Sequence, residues 1–189
     1  MIHGGEIMGK FLFFDIDGTL VGKSKMVTKK TKWAIQQARQ NGHRAFLCTG
    51  RAPTSIVGDI KNIEFDGAIC SAGGFVIVDG EYIFENFMNQ YILSEVMTLF
   101  INNHILFTLE TKKALYQTPG VNEFFDQKHQ KDCENNLELM RFFQLRRMGE
   151  NRLPIKDFNI LTTGVTKVCF IAPNKQSFYD CVPFLEEFF

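Results

Sequence analysis

Histidine is sparse in this 189-residue chain, and its four copies, at 3, 43, 104 and 129, are too scattered for a histidine-rich zinc site. Cysteine is thin as well. The five lie at 48, 70, 133, 169 and 181 with no CxxC pair, and an odd count at wide spacing argues against a disulfide framework and for a reducing, cytoplasmic setting. Net charge is missing too: Lys+Arg and Asp+Glu both number 21. No basic excess therefore points to nucleic acid or to an anionic membrane. No run approaches the roughly 18 apolar residues of a membrane span. The opening "MIHGGEIMGK" lacks the apolar stretch of a signal peptide, and Met8 is an alternative start, because the first strand begins near Lys10. Tryptophan occurs once against twenty phenylalanines, a bias that reads as core filling with a sticky surface at most.

What is present is ordinary globular material. Hydrophobic residues make up 45% of the chain, enough for one medium domain or two small ones. The first eighty residues alternate strand and helix. "KFLFFD" is a nearly continuous apolar run, the pattern of a parallel strand buried on both faces. "TKKTKWAIQQARQNG" follows as a helix, with Thr28 as N-cap, Thr31, Ala34, Ile35 and Ala38 at helical spacing, and Asn41-Gly42 closing it. "RAFLCTG" and "GAICSAG" are further strands, with "APTSIVGDIKN" between them as a short helix. Strands separated by helices imply parallel βαβ units. "FVIVDGEYIFE" reads as a hairpin turning at Asp79-Gly80.

Beyond residue 84 the texture changes. "QYILSEVMTLFINN" is an amphipathic helix, "ILFTLET" and "ALYQT" are strand-like, and a polar, helix-prone stretch runs from 122 to 149. "VTKVCFIAP" is another strand and "NKQSFYDCVPFLEEFF" a final helix. The predicted organisation is an α/β unit over residues 1–82 and an α+β unit over 83–189.

Chemistry concentrates in "FFDIDGTL", where an apolar strand runs into Asp15 and Asp17. Carboxylates at the end of a buried strand are costly unless a metal, a phosphate with its counter-ion or backbone amides compensate them. In parallel sheets ligands collect at the carboxyl ends of strands. Strand one ends at Asp15 and strand two at Thr49 of "TGR", so both emerge on one edge. Gly18 permits a tight turn that lets both carboxylates approach one centre. Phosphoryl transfer suits this arrangement: one carboxylate attacks phosphorus, a second carboxyl acts as general acid and then base, and a metal offsets their repulsion. Taken alone, Asp-Gly is a common turn dipeptide, and Arg51 reads equally well as a surface charge at a helix start.

"FFDIDGTL" resembles the first motif of the haloacid dehalogenase superfamily, hhhhDxDGT, and "FLCTGR" resembles its second, hhhhTGR. With "GAICSAGG" downstream and a large α+β segment after it, the chain resembles the Cof-like branch: Mg²⁺-dependent phosphatases of small phosphorylated metabolites with an inserted α/β cap. The resemblance implies a Rossmann-like core, Asp15 as nucleophile, Asp17 as acid/base, and Thr49 as phosphate ligand alongside Gly50, Arg51 and Gly18. It also implies Mg²⁺ on the Asp15 carboxylate and the Asp17 main-chain carbonyl.

Departures from that pattern shape the remaining expectations. The branch often has Asn-Gly after strand three, where this chain has Ala72-Gly73-Gly74. A third-motif lysine and a fourth motif GDxxxD are missing after residue 84, since Gly149-Glu150 and Tyr179-Asp180 lack a second acid. Lys167 is read as a cap-strand residue before it is read as the absent lysine. Phe178, Cys181, Val182, Leu185, Phe188 and Phe189 form an apolar face at the chain's end, which is expected to mark a shortened core with an exposed, association-prone first strand. Two alternatives follow: a non-catalytic remnant that binds Mg²⁺ and phosphate weakly, or a phosphomutase. Gly4, Gly9 and Lys10 mimic a P-loop, but Phe11 stands where Ser or Thr is required. Phe124, Phe125, Phe142 and Phe143 are expected in helix packing, not in a ligand pocket.

Overall fold

Alternating strand and helix signals in the first eighty residues build a five-stranded sheet, and the later signals build a second sheet of four. The chain is seen in a computed structural model that describes residues 9–22, 26–133 and 136–188. Gly4 of the P-loop look-alike and the alternative start at Met8 lie outside the described residues.

The first sheet has the order β1-β2-β3-β4-β5, with β1 (Phe11–Phe14), β2 (Arg44–Cys48), β3 (Gly67–Cys70), β4 (Phe75–Val78) and β5 (Glu81–Glu85). β1, β2 and β3 are parallel, and β4 and β5 are added antiparallel. Between β1 and β2 runs α1 (Lys29–Gln40). Thr28 caps it by accepting from the Thr31 amide at 3.1 Å, and Ile35 is its buried anchor. Asp79 (φ 50) and Gly80 (φ 86) both take left-handed backbone, as a type I′ hairpin requires. The division expected between residues 82 and 83 falls inside β5, whose later residues still pair with β4.

The second sheet has the order β8-β7-β6-β9, with β6 (Leu106–Thr111), β7 (Leu115–Gln117), β8 (Arg152–Pro154) and β9 (Val165–Ile171). α2 (Gln90–Asn102) sends Leu93, Val96 and Phe100 into a cluster with Phe107, Leu109 and Val165. Each such side chain fully buried contributes about 1.5–3 kcal/mol. α3 (Val121–Asp132) and α4 (Leu137–Gly149) form the connection from β7 to β8.

Three expectations are corrected. Strand one is not buried on both faces: it is the sheet edge, and Phe11 and Phe13 stay 63% and 57% exposed, Phe13 stacked on Phe46 and Phe11 tilted against it. The segment 52–62 is not an α-helix but two 3₁₀ turns, Pro53–Ser55 and Gly58–Ile60. The final helix is two, α5 (Lys175–Tyr179) and α6 (Val182–Phe188), because Pro183 lacks the N–H that a continuous helix needs and fits only a first turn.

Candidate active site

β1 and β2 run parallel with Phe14 opposite Leu47, so their carboxyl ends lie side by side. Asp15 is one residue beyond the first strand and Thr49 two beyond the register partner Leu47. The chain leaves β1 in a tight loop: Leu20 N–H donates to Asp15 O at 3.2 Å and Val21 N–H to Ile16 O at 3.0 Å. Ile16 is fully buried and pins that loop, while Gly18 at φ 90 supplies the left-handed turn. The flanking carboxylates are thereby held outward. Asp15 is exposed, and no hydrogen bond or ion pair engages its side chain among the described residues.

Asp17 is bound differently. Arg51 donates Nε to Oδ2 and Nη2 to Oδ1, both at 2.9 Å, a bidentate fork. Arg51 is only 8% exposed, so it is not the surface charge that its position also allowed. Its third nitrogen, Nη1, is buried with no partner among the described residues. The Thr49 hydroxyl oxygen accepts from the Arg51 amide at 3.2 Å, a contact that leaves its proton free to donate. Backbone bonds fasten this loop to the next strand: Thr49 N–H to Ile69 O at 2.9 Å, Ser71 N–H to Arg51 O at 2.8 Å and Ala72 N–H to Thr49 O at 3.2 Å. Asp15, Asp17, Gly18, Thr49, Gly50 and Arg51 thus gather at one sheet edge. Ser71 and Ala72 beside them both have positive φ, at 50 and 55.

The second sheet reaches the same edge. Lys167 of β9 donates its Nζ to the Gly50 carbonyl and lies 3.0 Å from Glu110 Oε1. Glu110 also accepts from Ser71 Oγ at 3.3 Å, and it is 8% exposed. Lys167 is indeed a strand residue, as read from sequence, but one whose charge comes down onto the TGR loop. Glu110 and Ser71 escaped sequence reading; an acid inside the apolar run "ILFTLET" was the signal available for Glu110.

Burial pushes the Cys70 thiol up to about 12, with Cys48 and Glu110 adding to it. Cys169 is pushed up to about 11 by burial and then by Glu110. Neither is a thiolate at neutral pH.

The Mg²⁺ that the resemblance implies can be tested against the donors present. This ion takes oxygen ligands and is commonly held by one or two carboxylates together with substrate phosphate and water. The exposed Asp15 carboxylate has that chemistry. No group of three or more His, Cys, Asp and Glu side chains comes together among the described residues. The residues therefore fit an ion shared with substrate oxygens and not a closed protein cage.

Comparison with known proteins bears on the whole chain. The family of haloacid dehalogenase-like hydrolases matches over residues 12–178. The chain is 29% identical over 77 residues to YkrA of Bacillus subtilis (strain 168), covering 41% of this chain and 30% of that protein. It is 29% identical over 110 residues to YwtE of the same organism, a 5-amino-6-(5-phospho-D-ribitylamino)uracil phosphatase, covering 56% of this chain and 37% of that one. The chain thus spans less than half the length of these curated relatives. Among solved structures, a haloacid dehalogenase-like hydrolase from B. subtilis superposes with a TM-score of 0.77 at 15% identity, over 94% of this chain and 67% of that one. The sheet order, the acidic loop at the end of β1 and the extent of the family match lead to one conclusion: the chain belongs to the haloacid dehalogenase-like hydrolases, in their Cof-like branch.

Proposed function

We propose that the chain is a phosphatase-type hydrolase of small phosphorylated metabolites, with its core in the unit that ends with β5 and its cap in the unit that follows. The observation that carries this reading is the Asp15 carboxylate, exposed and unengaged at the end of β1 with the Thr49–Arg51 loop alongside. Asp15 attacks phosphorus in line, forming an aspartyl phosphate as the bond from phosphorus to the leaving oxygen breaks. Thr49 donates its hydroxyl proton to a phosphate oxygen, with the Gly50 and Gly18 backbone close to the phosphate and Arg51 balancing its charge. A phosphate dianion competes with Asp17 for the Arg51 guanidinium; once released, the Asp17 carboxylate takes up a proton from water, delivers it to the leaving oxygen, and as the carboxylate again later removes one from the attacking water. Mg²⁺, when bound through the Asp15 carboxylate and the Asp17 carbonyl, offsets the repulsion between nucleophile and phosphate.

The test is Mg²⁺-dependent phosphate release from phenyl phosphate. Asp15→Asn is expected to lower it by about a thousandfold or more, because the variant loses the nucleophile itself. Activity surviving in Asp15→Asn would sink the reading.

A second reading is favoured by one observation, the absence of any three-ligand acidic cluster among the described residues. In that case the chain binds phosphate and metal weakly without turnover, and phosphate shifts its melting temperature while no ester is cleaved. Two finer features belong to the proposal: a cytoplasmic setting, consistent with five free cysteines, and self-association through the open edge of β1.

A further inference from the structure

Register gives the second sheet two faces. Phe107, Leu109 and Val168 belong to or pack against the apolar cluster built with α2, while Thr108, Glu110 and Gln117 alternate onto the other side. On that other side Lys167 of β9 meets Gly50 at one border of the sheet. β8 is the opposite border, three strands away, or about 14 Å at ordinary strand spacing. A hollow of about 410 Å³ lies there, lined by Gln117, the first turn of α3, Arg152 and Lys156. No residue of the 15–18 or 49–51 loops lines it.

α3 begins at this hollow without a side-chain cap. Its N-cap is Gly120 at φ 95, where a residue with a Cβ is strained and would also crowd Leu106. Thr118 cannot stand in. Its hydroxyl accepts the Phe107 amide at 2.9 Å and donates to the Phe107 carbonyl at 3.2 Å. Val121 N–H reaches back to Thr118 O, and Phe124 N–H makes the first helical bond, to Gly120 O at 2.9 Å. Between them the amides of Asn122 and Glu123 have no partner among the described residues.

A bare helix start attracts anions through its amides and its dipole. The lining narrows the choice. Arg152 and Lys156 bring positive charge, and Glu123, exposed, is the acid beside them. Glu150, which holds Arg152, is shared with Arg146, so those three groups keep a surplus positive charge. Gln117 adds the decisive constraint. It is 8% exposed, its Nε2 donates to Thr108 Oγ1 at 3.2 Å, and its Oε1 is buried with no partner among the described residues. Register sets it on the same side as Arg152 and Pro154, which line the hollow too. A buried carbonyl oxygen left unbonded is costly, and only a donor satisfies it. An anion without a proton is repelled by that oxygen, whereas one that keeps a hydroxyl donates to it while its other oxygens accept from the amides. We propose that this hollow binds inorganic hydrogen phosphate, at a site separate from the catalytic one. Near neutral pH that ion keeps a proton, sulfate has none, and a phosphate monoester has lost most of its last one, with a pKa of about 6. The assignment goes beyond the phosphatase reading and stands apart from it.

The experiment titrates the isotope-labelled full chain with inorganic phosphate at about pH 7.5, without Mg²⁺, and follows backbone amide signals by NMR. Each site then reports through its own residues. The Asn122 and Glu123 amides are expected to shift and saturate, whatever those of 49–51 do. Sulfate, and phenyl phosphate offered to the Asp15→Asn chain, are expected to bind there about tenfold or more weakly. Lys156→Met, at an exposed position, is expected to weaken phosphate about fivefold or more at 122 and 123 while the response of 49–51 stays as in wild type. Gln117→Met is expected to erase the preference for phosphate over sulfate. Amides at 122 and 123 that stay still, sulfate that binds as tightly as phosphate, or an affinity unchanged within about twofold in Lys156→Met each overturn the proposal. If Gln117→Met does not fold, the wild-type comparison of phosphate with sulfate decides its part.

Discussion

Ala72 holds a backbone conformation that alanine resists, with φ 55 and ψ 38, directly after Ser71 at φ 50. Left-handed backbone costs an ordinary residue about 1–2 kcal/mol, and asparagine less. Ala72→Asn is therefore expected to raise unfolding free energy by about 0.5–1 kcal/mol in a urea titration. The missing asparagine of the Cof-like pattern is thus also a missing conformational preference. Asp66 shows the opposite economy. Its carboxylate accepts Arg39 Nε and Nη2 at 3.1 and 2.9 Å and the Ala45 amide at 2.7 Å, clamping α1 to the sheet. The Arg39 hydrogen bonds, partly opposed by burial, hold its carboxyl below the usual range. A depressed carboxyl gives stability that is present above the ordinary value, about pH 3.9, and lost as pH falls through the lowered native one. Asp66→Asn should cost about 1.5–3 kcal/mol at pH 7, and the difference from wild type should shrink below pH 3.9. A difference that persists undiminished at low pH would contradict that origin.

At the scale of elements, legibility followed range along the chain. α1, α2 and the Asp79-Gly80 hairpin were readable because cap, periodicity and turn chemistry all sit within a few residues of one another. Thr28→Ala, which removes the cap bond, is expected to lower stability by about 1 kcal/mol by thermal or chemical denaturation. β8 went unread because three residues, Arg152–Pro154, are too few to show any period, and β7 alone makes them a strand. The turns at Pro53–Ser55 and Gly58–Ile60 took the place of a helix because glycine at 58, with φ 66, breaks helical geometry. The site divides along the same line. Asp15, Asp17, Thr49, Gly50 and Arg51 were nominated from two short contiguous motifs. Glu110 and Ser71 are 39 residues apart, Lys167 and Gly50 are 117 apart, and only the packing of one sheet on another joins them.

For the whole molecule, the open side of β1 is the feature with physical consequences in solution. Phe11 and Phe13 present rings beside Phe46 on an edge strand whose outer backbone groups have no strand neighbour among the described residues. Exposed apolar edges are templates for pairing with another chain. Sedimentation at rising concentration should show association, and Phe11→Glu with Phe13→Lys should reduce it. A wild type that stays monomeric throughout would remove that proposal while leaving the active-site chemistry untouched.

The two-sided character of the second sheet also separates two ways in which a substitution does damage. Side chains at 107, 109 and 168 are committed to the helix layer beneath them, and changing their bulk loosens the fold. Those at 108, 110, 117, 167 and 169 point the other way, and Thr108, Glu110 and Gln117 are themselves buried there, with Glu110 tied to Ser71 of the first unit. Substitutions on that side are therefore expected to loosen the join between the two sheets before they reach the helix layer.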